Sequence, residues 1–367
     1  MRVSPKAKNI LVPIIAVIAG FLVGAVIMLL WSYDPIEAYS SMFQSALGSM
    51  NGVGETIREA TPLIFTAIGF QIASAAGFFN IGLPGQAQAG WLASVWFALA
   101  NQNMPSYLLV PLEIIIGVVA GAVVAGIAGV LRAYFGTNEV IVTIMLNYVV
   151  LYSCQYLMQQ TMSSKLRIST DSTKTVVNGS LQVGWLTKMF GYSRINTGIF
   201  MAIIALVIFW FLMKKTTTGF EIKSVGLNPF ASRYAGMSAK KNIIVSMLLS
   251  GAFAGMGGVI QGLGTYQNYF TQTASVDIGF DGMSVALLGA GSALGIFLAA
   301  LLFSILKIGG LGMQTLAGIP YEIVSIVIAA IIFFVGIKYV IELLFKNKTP
   351  QTIEATGTTG TGKEGEA

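Results

Sequence analysis

The chain reads as an all-α polytopic membrane protein of about ten transmembrane helices, some short or broken, with an inverted internal repeat. Three observations predict this. Of its 367 residues, 55% are hydrophobic and 10% charged, and the mean hydropathy is +0.77, whereas a soluble domain carries roughly 25% charge. Apolar runs near the ~20 residues that cross a bilayer recur along most of the length. Two similar Gly-containing polar motifs, far apart in the chain, interrupt such runs in matching places.

Residues 1–9 carry Arg2, Lys6 and Lys8 and no acid, which predicts a cytoplasmic N-terminus. Span one is expected at 10–31. Residues 10–30 are too long for a signal-peptide core and lack an obvious cleavage site, so this span should be retained. Residues 32–60 are mixed and partly amphipathic, with Trp31 and Tyr33 suited to an interface. Span two, 61–79, runs into Asn80-Ile81-Gly82-Leu83-Pro84-Gly85-Gln86, which should break the helix near membrane depth. Span three, 87–100, is short. Span four, 107–131, holds Gly117-x-x-x-Gly121, a close-packing pattern. Span five is 139–159, a long polar connection occupies 161–195, and span six is 196–213. Span seven, 243–263, contains Gly251-x-x-x-Gly255 and Gly258-x-x-x-Gly262. Polar residues 265–275 lead to a second break, Asp277 to Gly282, and a short apolar piece at 283–290. Span nine is 294–308 and span ten 321–344. The transmembrane domain is thus expected over 10–345, and the Thr/Gly-rich tail, 346–367, should be cytoplasmic and disordered. With both termini inside, fourteen of the 21 Lys and Arg fall on the cytoplasmic side, and five of the rest lie in the 161–195 connection.

Between spans six and seven lies a polar, basic island, residues 214–242. It holds Lys214, Lys215, Lys223, Arg233, Lys240 and Lys241 against one acid, Glu221. Asn228-Pro229 is a helix start, because Asn offers a cap oxygen and Pro at the first helical position has no N–H to lose. Residues 230–234 can form a turn or two, and Gly236 can end it. Such a short capped helix is either a docking element or part of an ordinary solvated loop.

The two breaks share the pattern [Asn/Asp]-Ile-Gly-[Leu/Phe]-x-Gly: Asn80, Gly82 and Gly85 in the first, Asp277, Gly279 and Gly282 in the second. The first falls at the inner end of span two and the second beyond the outer end of span seven, so the halves would be inverted. Paired Gly/Pro-interrupted segments point to a transport pathway.

Several chemistries are excluded or poorly supported. There is no His, so imidazole metal sites and Ser-His triads are ruled out, and no metal site is expected. The single Cys154 lies in an apolar run and cannot form an internal disulfide. The stretch 357–364 nearly spells a phosphate-binding loop, but Glu364 stands where a hydroxyl must hold Mg²⁺ and the sequence ends three residues later. The net charge of +6 fits positive-inside loops better than nucleic-acid binding. Among ionisable residues Glu113 alone is placed to couple an ion gradient, with interfacial anchoring as its plainer role; Arg132, Glu139 and Glu322 sit at span ends. Neutral amides are plentiful. Asn80, Gln86, Asn147 and Gln71 are candidates for a pathway that accepts an uncharged, hydrogen-bonding solute, although amides also tie helices together.

The segments 79–86 (FNIGLPGQ), 137–148 (TNEVIVTIMLNY) and 224–236 (SVGLNPFASRYAG) resemble permease subunits of bacterial ABC importers. The branch is that of simple sugars and branched-chain amino acids, with nucleoside-type permeases most similar. The resemblance spans all ten expected crossings and leaves out the tail. One departure is Leu83-Pro84, where the family commonly carries an acidic or Ile-Glu pair. The resemblance implies a multi-pass protein of the bacterial cell membrane with no ATPase site of its own, ATP and Mg²⁺ being bound by a cytoplasmic ABC ATPase subunit. It further implies a second homologous permease subunit and an extracellular solute-binding lipoprotein. By the same analogy Gly226, Asn228, Pro229, Arg233, Tyr234, Ala235 and Gly236 form the helix seated on the ATPase. Nucleosides are the expected solute, with simple sugars, or an ion-coupled carrier working through Glu113, as alternatives.

Overall fold

Helices α1 (Pro5–Leu30), α2 (Pro35–Leu47), α3 (Met50–Ala75), α4 (Leu83–Ala100), α5 (Ser106–Phe135) and α6 (Glu139–Tyr156) make up the first half of the chain. The second half holds α7 (Gly184–Met189), α8 (Gly198–Lys215), α9 (Thr217–Leu227), α10 (Pro229–Tyr234), α11 (Ala239–Val259), α12 (Asp277–Leu288), α13 (Ala293–Leu316) and α14 (Tyr321–Gly336). This is a computed structural model, and it describes residues 5–336. The expected tail, the end of span ten and the 357–364 stretch lie outside the described residues. Two wide turns of π-helix extend α6 to Thr161 and α11 to Tyr266, and a small antiparallel ribbon pairs β1 (Arg167–Ser169) with β2 (Ser172–Thr173).

Helices α1, α5, α6, α8, α11 and α13 are long and apolar enough to cross a membrane. The other four of the ten expected crossings are α3, α4, α12 and α14. Helix α12 has 12 residues, about 18 Å at ~1.5 Å per residue, too short to cross alone.

The buried centre is α3, which is covered on nearly every side by α11, α12, α13 and α8. It runs antiparallel to α11: Gly69 lies against Ser250 and Ala254, while Pro62 and Thr66 lie against Gly257. Helix α11 also runs antiparallel to α5, where Gly117 and Gly121 face Gly251 and Gly255 so closely that a Cβ on either side would strike the opposing backbone. The two small-residue motifs expected to pack closely therefore pack against each other. Helix α1 lies on α14 through Gly20 and Gly24, opposite Ile331 and Val327. Two ends of the bundle can be named from this: a basic end, where 214–242 meets the close of α3, and a far end, carrying residues 162–197.

Three segments differ from expectation. Residues 32–60 contain α2, capped by Asp34, and about the first three turns of α3. They read as mixed because α3 starts among the charges Glu55, Arg58 and Glu59, of which Glu55 is half-buried and the other two buried. The basic island is more helical than expected, with α9 capped by Thr216 ahead of α10. Finally, Asp277 to Gly282 is not a break. It forms the first half of α12, and the interruption lies upstream at 267–276. Asp277 in the first helical turn favours the helix start, and Gly279 and Gly282 are tolerated there because Pro84 and Thr66 press against them. The two similar motifs thus meet, Gly279 against Pro84. They follow antiparallel helices, α3 and α11, but they lie side by side and not at opposite ends of the bundle as the sequence reading placed them.

Candidate functional site

At the first break the chain leaves α3 at Ala75, turns through 76–82 and starts α4 at Leu83. Irregular backbone at this depth needs partners for its N–H and C=O groups, and three amide side chains supply them. Asn147 on α6 accepts from the Gly85 N–H at 2.9 Å and donates to the Ile81 carbonyl at 2.8 Å. Asn80 accepts from the Gly82 N–H at 2.9 Å and donates to Ser250 Oγ at 2.8 Å. Asn80 and Gln86 also exchange a reciprocal amide pair at 3.0 and 3.1 Å. All three residues are sealed from solvent. The sequence marked them as pathway candidates, but their hydrogen-bonding capacity in this conformation goes to the break itself. Gln71, on α3 nine residues before Asn80, is half-buried beside Gly291, just past the end of α12, and takes no part in that hydrogen-bonded cluster.

The second half-helix, α12, is held by charge. Lys307 on α13 places its ammonium 2.8 Å from Asp281 Oδ2 and 3.0 Å from Glu59 Oε1. Arg58 continues the chain to Glu59 at 3.2 Å and to Glu55 at 2.7 Å. Glu55 then reaches Arg194 of the far-end connection at 3.0 Å and accepts its backbone N–H at 2.7 Å. Three acids alternate with three bases, so the line is neutral overall. Its far-end members border a cleft of about 530 Å³ with Gln44 and Asn51. Sequence reading missed this line. Its signals were there: Glu55, Arg58 and Glu59 at helical spacing, and Lys307 alone in an apolar run.

Glu113 is fully buried on α5 beneath Gly179, and neither carboxylate oxygen has a hydrogen-bond partner among the described residues. Arg132 and Glu139 pair with each other at 3.4 Å across the turn between α5 and α6. No group of His, Cys, Asp and Glu able to hold a metal occurs among the described residues.

At the basic end, Asn228 accepts from the N–H groups of Phe230 and Ala231, both at 3.0 Å, and Pro229 opens α10. Gly236, at φ +81°, closes it, with the Met237 N–H reaching back to the Ser232 carbonyl at 3.0 Å. Gly226 lies on the backbone of 75–77, where any side chain would collide. Arg233 and Ala235 are exposed. The sequence did not foresee that Leu227 at the end of α9 and Phe230 and Tyr234 on α10 stand 88%, 80% and 95% exposed. These apolar side chains thus stand free of the rest of the described residues at the basic end, beside a capped helix.

Residues 52–336 match the family described as branched-chain amino acid transport system / permease component. The chain is 50% identical to the nucleoside ABC transporter permease protein NupB of Lactococcus lactis, covering 96% of this chain and 97% of that one. It is 44% identical to the guanosine ABC transporter permease protein NupP of Bacillus subtilis, covering 92% and 96%. It is 35% identical to the glucose ABC transporter permease protein TsgB13 of Haloferax volcanii, covering 88% and 86%. No solved structure matches it significantly. Six helices long and apolar enough to cross a membrane and a family match over residues 52–336 lead to one assignment: this chain is a multi-pass membrane protein of the branched-chain amino acid transport system permease family.

Proposed function

We propose that this chain is the permease subunit of an ABC importer for nucleosides in the bacterial cell membrane, with both termini and the basic end in the cytoplasm. It pairs with a second, related permease, takes solute from an extracellular binding lipoprotein, and draws its energy from a cytoplasmic ATPase that binds ATP and Mg²⁺. The chain itself makes and breaks no bonds. The observation that carries this reading is the exposed knob of Leu227, at the end of α9, and Phe230 and Tyr234, on α10. Gly226 locks the neighbouring backbone onto the end of α3, so a push on the knob is delivered to the most buried helix of the body. The similarity to the nucleoside and guanosine permeases favours nucleosides as solute, and the glucose permease keeps sugars as the second reading.

The test replaces Phe230 and Tyr234 with Asp. Buried aromatic anchors are worth at least about 2 kcal/mol each, roughly thirtyfold in affinity. ATPase co-purification and ATP-driven nucleoside uptake should both be lost, with membrane insertion unchanged. Gradient-driven nucleoside uptake by the purified chain alone in liposomes would overturn the reading in favour of an ion-coupled carrier.

A further inference from the structure

Helix α12 packs one side against α3, α4, α13 and α14. Its other side is open: Asp277, Phe280 and Leu287 are exposed, and Asp281 and Ser284 partly so. These positions fall at i, i+3, i+4, i+7 and i+10, a single stripe on a helix. Their depth follows from Lys307, which bonds Asp281 at 2.8 Å. Lys307 stands roughly 20 Å from the start of α13 and roughly 14 Å from its end at ~1.5 Å per residue. The stripe therefore sits well inside the membrane-spanning body. A carboxylate facing lipid there costs about 2.5–3.5 kcal/mol. Asp281 is neutralised by Lys307, but Asp277 has no ion-pair partner among the described residues. This face must meet water or a polar molecule.

We propose that the open face of α12 is a nucleoside-contact surface on the translocation path. This deepens the transport reading above and rests on it. Phe280 presents a ring 42% exposed, with Asp277 one turn before it and Ser284 one turn after. An aromatic face suits a nucleobase, which stacks on any flat π surface. A carboxylate and a hydroxyl one turn away on either side suit the ribose hydroxyls, which donate and accept. The Lys307 bridge fixes α12 relative to α3 and α13, so the stripe is presented in a set orientation. The amides of the first break, already bonded to one another, leave this surface as the better candidate for solute contact.

The experiment uses the assembled transporter in membrane vesicles. Cys154, the chain's one cysteine, is buried and is replaced by Ala. In that background Phe280→Cys and Ser284→Cys are each treated with a charged, membrane-impermeant methanethiosulfonate, with and without guanosine or uridine. Labelling that nucleoside slows several-fold supports the proposal. Labelling that nucleoside leaves unchanged, labelling only by a lipid-soluble maleimide, or labelling only after the second permease is removed overturns it. Independently, Phe280→Ala should raise the KM for nucleoside uptake roughly tenfold or more, the scale of a lost base–aromatic stack, and Phe280→Trp should restore it. An unchanged KM in Phe280→Ala would also overturn the assignment. Wild-type vesicles report separately on the parent reading: uptake of glucose and of no nucleoside removes the substrate class, and with it the base-stacking role of Phe280. Nucleoside uptake with unresponsive α12 variants removes this surface and leaves the transport reading standing.

Discussion

The two half-helices solve one problem with opposite chemistry. At the start of α4 the backbone is interrupted, and neutral amides close the gap: Asn80, Gln86 and Asn147 satisfy the freed groups over short, local hydrogen bonds. At α12 the helix is pinned by an ion triad, Glu59–Lys307–Asp281, that reaches across three separate helices. An amide corner carries no charge to bury, and it ties the break to α6 through Asn147 and to α11 through Ser250. A charged triad is expensive to bury unless every member is paired, but it ties distant elements into one unit and tolerates water beside it. The first break is thus a sealed joint, and the second is a braced face.

The triad gives the sharpest way to break this contrast. Lys307→Met leaves Glu59 and Asp281 facing each other with no cation between them. Removing one partner of a buried charge cluster typically costs about 3–5 kcal/mol, so the variant should lose stability heavily in detergent thermal unfolding and abolish uptake. The contrast sharpens when all three charges go. Glu59→Gln, Lys307→Met and Asp281→Asn together should recover part of the stability, because Glu59 and Asp281 no longer repel each other, although Arg58 keeps only Glu55 and the line retains one positive charge in excess. Recovered stability without recovered uptake would assign the triad to orienting α12 rather than to holding the body together. A single variant as stable as the parent would show that the bridge contributes nothing.

The amide corner should respond less. Asn80→Ala removes partners from the Gly82 N–H, from Gln86 and from Ser250. Leaving buried groups unpaired costs about 1–3 kcal/mol, and the loss should be local. Hydrogen exchange at the Gly82 and Gly85 amides should accelerate while α12 keeps its protection. Equal acceleration in α12 would show that the two joints are one cooperative unit.

How far these features could be read in advance depended on whether their signals were local. Hydropathy marked the six helices long and apolar enough to cross a membrane, because a span is a property of consecutive residues. The α10 cap was equally plain, since Asn228-Pro229 and Gly236 act within eight residues of one another. The antiparallel Gly pairs of α5 and α11 were visible as motifs, but not as partners. The second break was misplaced, because Asp277-Ile-Gly-Phe-Asp-Gly looks flexible until Pro84 and Thr66 are seen filling the space beside its glycines. The ion line escaped because its members come from α3, the far-end connection, α12 and α13. Each charge alone looked like a span-end residue or a loop residue, and only the three-dimensional pairing shows why an apolar helix keeps Lys307. The exposure of Leu227, Phe230 and Tyr234 was likewise hidden, since a hydrophobic residue in a sequence does not announce that it has no partner within its own chain.

The far end of the ion line marks where the braced face gives way to solvent. Arg194 is 54% exposed at its side chain, against 6% for Arg58, and both bond the same Glu55 carboxylate. Exposed ion pairs are worth about 0–1 kcal/mol and weaken with salt. Arg194→Ala should therefore shift thermal stability by less than any substitution above, and the shift should shrink further in high salt, while Arg58→Ala behaves like the triad. If Arg194→Ala were as damaging as Arg58→Ala at all salt concentrations, its backbone N–H bond to Glu55 would not be the main tie of the far-end connection. The line would then have to be treated as buried from end to end, with the cleft beside it closed to water when the transporter is assembled.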